Sequence, residues 1–94
     1  MVKKLGTYAG NDIELCRTTN EKASNQTVQA LVNAHIPFTQ NYERIPFFKR
    51  VQYNGAREML VISINPRRYG QARRVIDQID NIYRRRLVLS NYSN

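Results

Sequence analysis

The stretch Arg57-Glu58-Met59-Leu60-Val61-Ile62-Ser63-Ile64-Asn65-Pro66 decides the fold class. Leu60, Ile62 and Ile64 project one way from an extended chain; Met59, Val61 and Ser63 project the other. Both sets are largely apolar, so residues 57–65 read as a strand near the centre of a sheet. Asn65 and Pro66 then open a helix. Asn is a favoured N-cap, and Pro at the first helical position gives up an N–H that has no partner there.

Downstream, Tyr69, Ala72, Val75, Ile76, Ile79, Ile82 and Tyr83 form one apolar stripe at helical spacing. Gly70 weakens the first turn by about 1 kcal/mol relative to Ala. No breaker follows before Arg86, so the pattern predicts a helix of about 15 to 20 residues. Leu87-Val88-Leu89 reads as a last short strand or as an apolar tail, and residues 90–94 read as a flexible tail.

Upstream, Asn54-Gly55 suits the two positive-φ positions of a tight hairpin turn. That predicts a strand over residues 48–53 paired with 57–65, and residues 38–43 read as a further strand. Asn20 with Thr19 offers a cap, and Glu21 sits in the first turn of a helix over about 21–34. Ala23, Thr27, Val28, Leu31, Val32 and His35 recur along it, and Pro37 ends the pattern. His35 falls where a left-handed residue closes a helix. Residues 12–18 alternate, with Ile13 and Leu15 on one side and Asp12, Glu14 and Cys16 on the other. Residues 1–11 read as a lead-in.

The element order is strand, helix, two or three strands, helix, and a possible strand. It predicts one α+β domain over residues 1–94 with its core in 12–89. The expected architecture is a ferredoxin-like βαββα(β) sandwich, two helices on one face of an antiparallel or mixed sheet. The other face is left for water, a ligand or a second subunit.

The chain has 94 residues and 41% hydrophobic content, enough for one modest core. No apolar run reaches the roughly 18 residues of a membrane span, and no apolar segment follows Lys3-Lys4, so neither a membrane nor a secretory leader is expected. Cys16 is the only cysteine and cannot form an internal disulfide, which favours the cytoplasm.

Charge is the unusual quantity. Fifteen Lys and Arg against seven Asp and Glu leave a net +8. Residues 1–47 hold five basic and four acidic residues, whereas residues 48–94 hold ten and three, nine of the ten being arginine. Arginine presents a rigid fork that suits phosphate and carboxylate, so an anionic partner is a natural expectation.

Catalytic groups are sparse. His35 is the lone imidazole and Cys16 the lone thiol. The acids Asp12, Glu14, Glu21, Glu43, Glu58, Asp77 and Asp80 show no paired spacing for acid–base work. No phosphate-binding glycine loop or metal-ligand spacing occurs. A non-catalytic chain without metal or cofactor is expected. An enzyme would need a pocket joining Cys16 or His35 to an acid.

Two groups of residues are candidates for binding. On the second helix, Arg67, Gln71, Arg74, Gln78 and Arg85 fall opposite the apolar stripe. The pairs Arg73–Asp77 and Asp80–Arg84 are spaced to neutralise each other, while Arg67, Arg74 and Arg85 have no such partner. They form either a solvated face or an anion- or partner-binding one. In the second group, Lys49, Arg50 and Arg57 flank the Asn54-Gly55 turn beside Phe47, Phe48 and Tyr53. Such a mixture binds single-stranded nucleic acid through phosphate contacts and base stacking. Alternatively, Phe47 and Phe48 fill the core and the cations protect a sheet edge. The basic-glycine-aromatic signature of an RNA-recognition strand is absent from residues 57–64.

The run Val28-Gln29-Ala30-Leu31-Val32-Asn33-Ala34-His35-Ile36-Pro37-Phe38 resembles the leucine…alanine-glycine-isoleucine-proline turn of a family of small bacterial signal-transducing domains, similar in fold to the PII regulators. Residues 57–65, followed by Pro66-Arg67-Arg68-Tyr69-Gly70-Gln71-Ala72-Arg73-Arg74-Val75-Ile76, are similar to its closing strand and helix. The resemblance covers about residues 12–80. It departs at His35, where the family usually has glycine, and in arginine density. It implies a ferredoxin-like fold and a regulatory or protein-binding role, and it transfers no site residues.

The leading expectation is therefore a small non-catalytic regulatory or protein-interaction domain. Its partner docks on the open sheet face or on the Arg67/Arg74/Arg85 face. Met59, Val61 and Tyr42 on the open face are candidates to pair two subunits as a homodimer. The alternative is a nucleic-acid binder using the basic C-terminal half, with steep salt dependence.

Overall fold

Among the described residues one antiparallel sheet runs from β1 (Val2–Leu5) at one edge through β3 (Phe38–Arg44), β4 (Glu58–Ile64) and β2 (Ile13–Thr18) to β5 (Val88–Leu89) at the other. The structure, a computed structural model, describes residues 2–5 and 12–91. The elements are β1 (Val2–Leu5), β2 (Ile13–Thr18), α1 (Glu21–Asn33), β3 (Phe38–Arg44), a 3-10 segment (Phe47–Tyr53), β4 (Glu58–Ile64), a 3-10 turn (Pro66–Arg68), α2 (Tyr69–Ile76), α3 (Asn81–Arg84) and β5 (Val88–Leu89). The protein is thus α+β with an antiparallel sheet. Among the described residues no helix is long and apolar enough to cross a membrane.

β4 lies between β2 and β3, as its two apolar faces require. Leu15, Cys16, Ile62 and Ile64 of the sheet pack with Ala23 and Leu31 of α1 and Ala72 and Ile76 of α2. Each Leu or Ile so enclosed contributes about 1.5–3 kcal/mol of burial free energy. A second, smaller cluster occupies the opposite face, where Ile45, Met59 and Val61 are covered by Tyr53 and Ala56.

α1 begins as its sequence dictates. Asn20 Oδ1 accepts from the Ala23 N–H at 2.8 Å. His35, at φ +58°, closes the helix: the Ile36 N–H reaches back to the Leu31 carbonyl at 3.0 Å.

Several expectations are corrected. Residues 2–5 of the expected lead-in form an edge strand paired with β3. Residues 1 and 6–11 of that lead-in, and residues 92–94 of the expected tail, lie outside the described residues. The strict alternation of residues 12–18 fails because the β2–β4 register shifts between Glu14 and Cys16. Cys16 therefore lies opposite Ile62 on the helix side, and both Leu15 and Cys16 are enclosed.

The expected strand over residues 48–53 is a 3-10 helix instead. β4 pairs with β3 as far as Arg44–Glu58, and the Ile45 N–H donates to the Arg57 carbonyl at 2.8 Å. Residues 46–56 leave the sheet beyond that neck. Asn54 and Gly55 do adopt positive φ, +55° and +83°, but they end the 3-10 helix rather than join two strands. Glycine suits the second position because that backbone conformation strains any residue with a Cβ.

The long second helix is also interrupted. α2 stops at Ile76, and the bonds Gln78 N–H to Val75 and Ile79 N–H to Ile76 tighten the chain into a turn. Asp80 is extended, and its side chain accepts from the Ile82 N–H at 3.0 Å, capping α3. A short acid that bonds its own downstream backbone competes with the helix, a break that apolar periodicity alone does not reveal. Residues 88–89 form a short edge strand on β2.

Candidate functional site

The single helix expected to carry the arginine face is interrupted. Arg67 lies in the 3-10 turn, Arg74 in α2 and Arg85 at the end of α3, so no single helical ladder aligns them. All three are exposed and form no ion pair among the described residues. Gln71 Oε1 accepts from Arg68 Nε at 2.9 Å, and Gln78 lines a groove between α1 and α2. The two expected ion pairs are replaced. Arg84 Nη2 meets Asp77 Oδ1 at 3.1 Å. Arg73 Nη1 donates to the Tyr69 hydroxyl at 2.9 Å and to the Ser90 carbonyl at 3.1 Å, tying α2 to the end of β5.

The basic–aromatic group is brought together. Pro46, at φ −56°, leads into the 3-10 segment, which turns three residues per cycle. Phe47 is 82% exposed, Phe48 76% and Val51 87%. They do not fill the core: beyond the neck at Ile45 and Arg57 the segment turns Tyr53 onto Met59 and Val61 and leaves Phe47, Phe48 and Val51 to solvent. Phe47, Phe48, Arg50, Val51 and Arg57 line an open groove of about 600 Å³ at the Asn54-Gly55 end. Arg50 Nε is held by the Ile45 carbonyl at 3.2 Å. Among the described residues no acid lines this groove. Tyr53 does a different job: its ring covers Met59 and Val61.

The sheet face expected to pair subunits is not bare. Met59 and Val61 are 5% exposed beneath Tyr53, Ile45 and Ala56. Tyr42 lies opposite Leu60, on the other side of the sheet from Met59. The remaining surface carries ions. Arg17 Nη2 and Nε grip Glu14 at 2.6 and 2.8 Å, and Arg17 Nη1 stands 3.5 Å from Glu43. The Arg17 hydrogen bonds hold the Glu14 carboxyl below its ordinary pKa, opposed by partial burial.

The nucleophile and the imidazole lie apart from this surface. Burial, aided by the Glu14 charge, pushes the Cys16 thiol up to about 12, so no thiolate forms at neutral pH. His35 is exposed at the end of α1, and its carbonyl accepts from Arg68 Nη2 at 3.4 Å. Among the described residues no group of three His, Cys, Asp or Glu is placed to hold a metal ion.

The sequence alone leaves open whether Phe47 and Phe48 are buried or exposed. Phe47-Phe48 next to Lys49-Arg50 gives no clean period, and that irregularity was the available signal of a segment outside the sheet.

No protein-family model, curated protein or solved structure matches the chain.

Proposed function

We propose that the chain is a non-catalytic binding module whose working surface is the segment of residues 45–57, and that its ligand is single-stranded nucleic acid. One observation carries this: Phe47 and Phe48 stand exposed beside Arg50 and Arg57 in a groove that no acidic side chain among the described residues lines. Exposed aromatic faces stack on bases, and unpaired arginines meet phosphates. The same cations disfavour a second copy of a chain with net +8. The Tyr53 cover over Met59 and Val61 argues against the homodimer. The sealed thiol of Cys16 supports a non-catalytic role.

For the scaffold we infer a ferredoxin-like arrangement acting in the cytoplasm. β2-α1-β3 crosses over β4, and β4-α2-α3-β5 crosses over β2, which supports it; β1 is an added edge strand. The resemblance to the bacterial signal-transducing family points the same way, to a domain that acts by recognition.

The test is binding of the full chain to single-stranded and duplex oligonucleotides at two salt concentrations. Single-strand binding that persists near physiological salt and weakens about tenfold or more in Phe48→Ala is expected, since each stacked base is worth about 1–3 kcal/mol. Absent binding, or binding indifferent to Phe48 and Arg50, overturns it and leaves a protein partner as the occupant of the patch.

A further inference from the structure

Across the 3-10 segment from the aromatic groove lies a smaller cleft of about 130 Å³. Arg17 of β2, Glu43 and Arg44 of β3, and Lys49 and Tyr53 of the segment line it. Successive residues of a 3-10 helix turn by about 120°. Lys49 therefore enters this cleft while its neighbour Arg50 enters the groove.

Arg17 is its anchored cation. Two of its nitrogens, Nη2 and Nε, are committed to Glu14. Its Nη1 faces Glu43 at 3.5 Å, and the Glu43 side chain is 49% exposed. A long contact to an exposed carboxylate is weak and easily exchanged. Arg44 and Lys49 outnumber Glu43 in what remains. Tyr53 lines this cleft together with Arg17, and within the described residues its hydroxyl makes no hydrogen bond.

We propose that this cleft is a phosphate-group site, where Arg17 Nη1, Lys49 Nζ and the Tyr53 hydroxyl take an oxyanion that displaces Glu43. Glu43 acts as an internal stand-in for the ligand's charge. The assignment of that oxyanion to a nucleic-acid backbone rests on the function proposed above. A strand stacked on Phe48 has only the 3-10 segment to cross before its phosphate meets Lys49.

The experiment titrates the full chain with inorganic phosphate at low salt and follows the NMR signals of the Arg17 Nε–H and the Tyr53 ring. Saturable shifts at both are expected. Lys49→Ala is expected to weaken binding about fivefold and Glu43→Gln to strengthen it about fivefold, the scale of one partly exposed charge. Glu21→Gln removes the same charge from the first turn of α1, on the helix side of the sheet, and is expected to change affinity less than about twofold. Unsaturable shifts, or equal effects of E43Q and E21Q, overturn the cleft. Phosphate binding with no oligonucleotide binding supports the cleft and removes the nucleic-acid function. Phe48-dependent oligonucleotide binding that treats E43Q and E21Q alike does the reverse.

Discussion

Gln40 of β3 donates from Nε2 to Ser24 Oγ of α1 at 2.9 Å, and both side chains are buried. This polar bond is buried in the contact between sheet and helix. Removing one partner leaves the other without water or a substitute. Gln40→Ala is expected to cost about 1–3 kcal/mol from the orphaned hydroxyl, plus the loss of packing. Pairing Gln40→Met with Ser24→Ala is expected to cost less than the two single changes together. Urea denaturation of the four proteins measures the coupling, and strictly additive losses count against it.

The Glu14–Arg17 pair sets an acid dependence. Glu14 binds its proton less readily in the folded chain than at the ordinary value of 4.5. Below that value the unfolded state takes up more protons, so stability present above pH 4.5 falls as the pH drops through the lowered folded value. Glu14→Gln is expected to flatten this limb. The pair is partly exposed, so the change stays within about 1 kcal/mol. Denaturation midpoints from pH 3 to 7, read against Glu14→Gln, provide the check.

Cys16 is expected to resist thiol reagents in the native state. Its thiol is fully enclosed and its ionisation is pushed up to about 12. The folded chain favours the protonated thiol, so stability is complete below the ordinary 9.0 and declines above it. Labelling at pH 8 should follow the opening of the fold and accelerate with urea. Prompt native labelling contradicts the burial.

Phe48 and Gly55 separate binding from folding. Phe48→Ala removes a side chain with little packing, so stability should stay within about 0.5 kcal/mol while oligonucleotide affinity falls. Gly55→Ala has open space for its Cβ but must hold φ +83°, costing about 1–2 kcal/mol. A large loss of stability in Phe48→Ala shows that the ring is packed.

Much of the fold was legible where local chemistry and burial agreed. Asn20 and Asn65 capped the elements they precede, His35 took the left-handed position, and residues 58–64 became a central strand. The candidate site was less legible. Lys49, Arg50 and Arg57 were visible as a cluster with aromatics, but their division between two clefts depends on the turn of the 3-10 segment.

By itself the sequence determined the charge asymmetry, the caps and the apolar stripes, because each is a property of residues a few positions apart. Tertiary structure alone decided the β2 register shift that turned Cys16 inward and the neck beyond which Phe47 and Phe48 stand exposed. Each of these depends on contacts between distant segments. Local spacing carries no information about which partner strand, or how much covering surface, a side chain will meet.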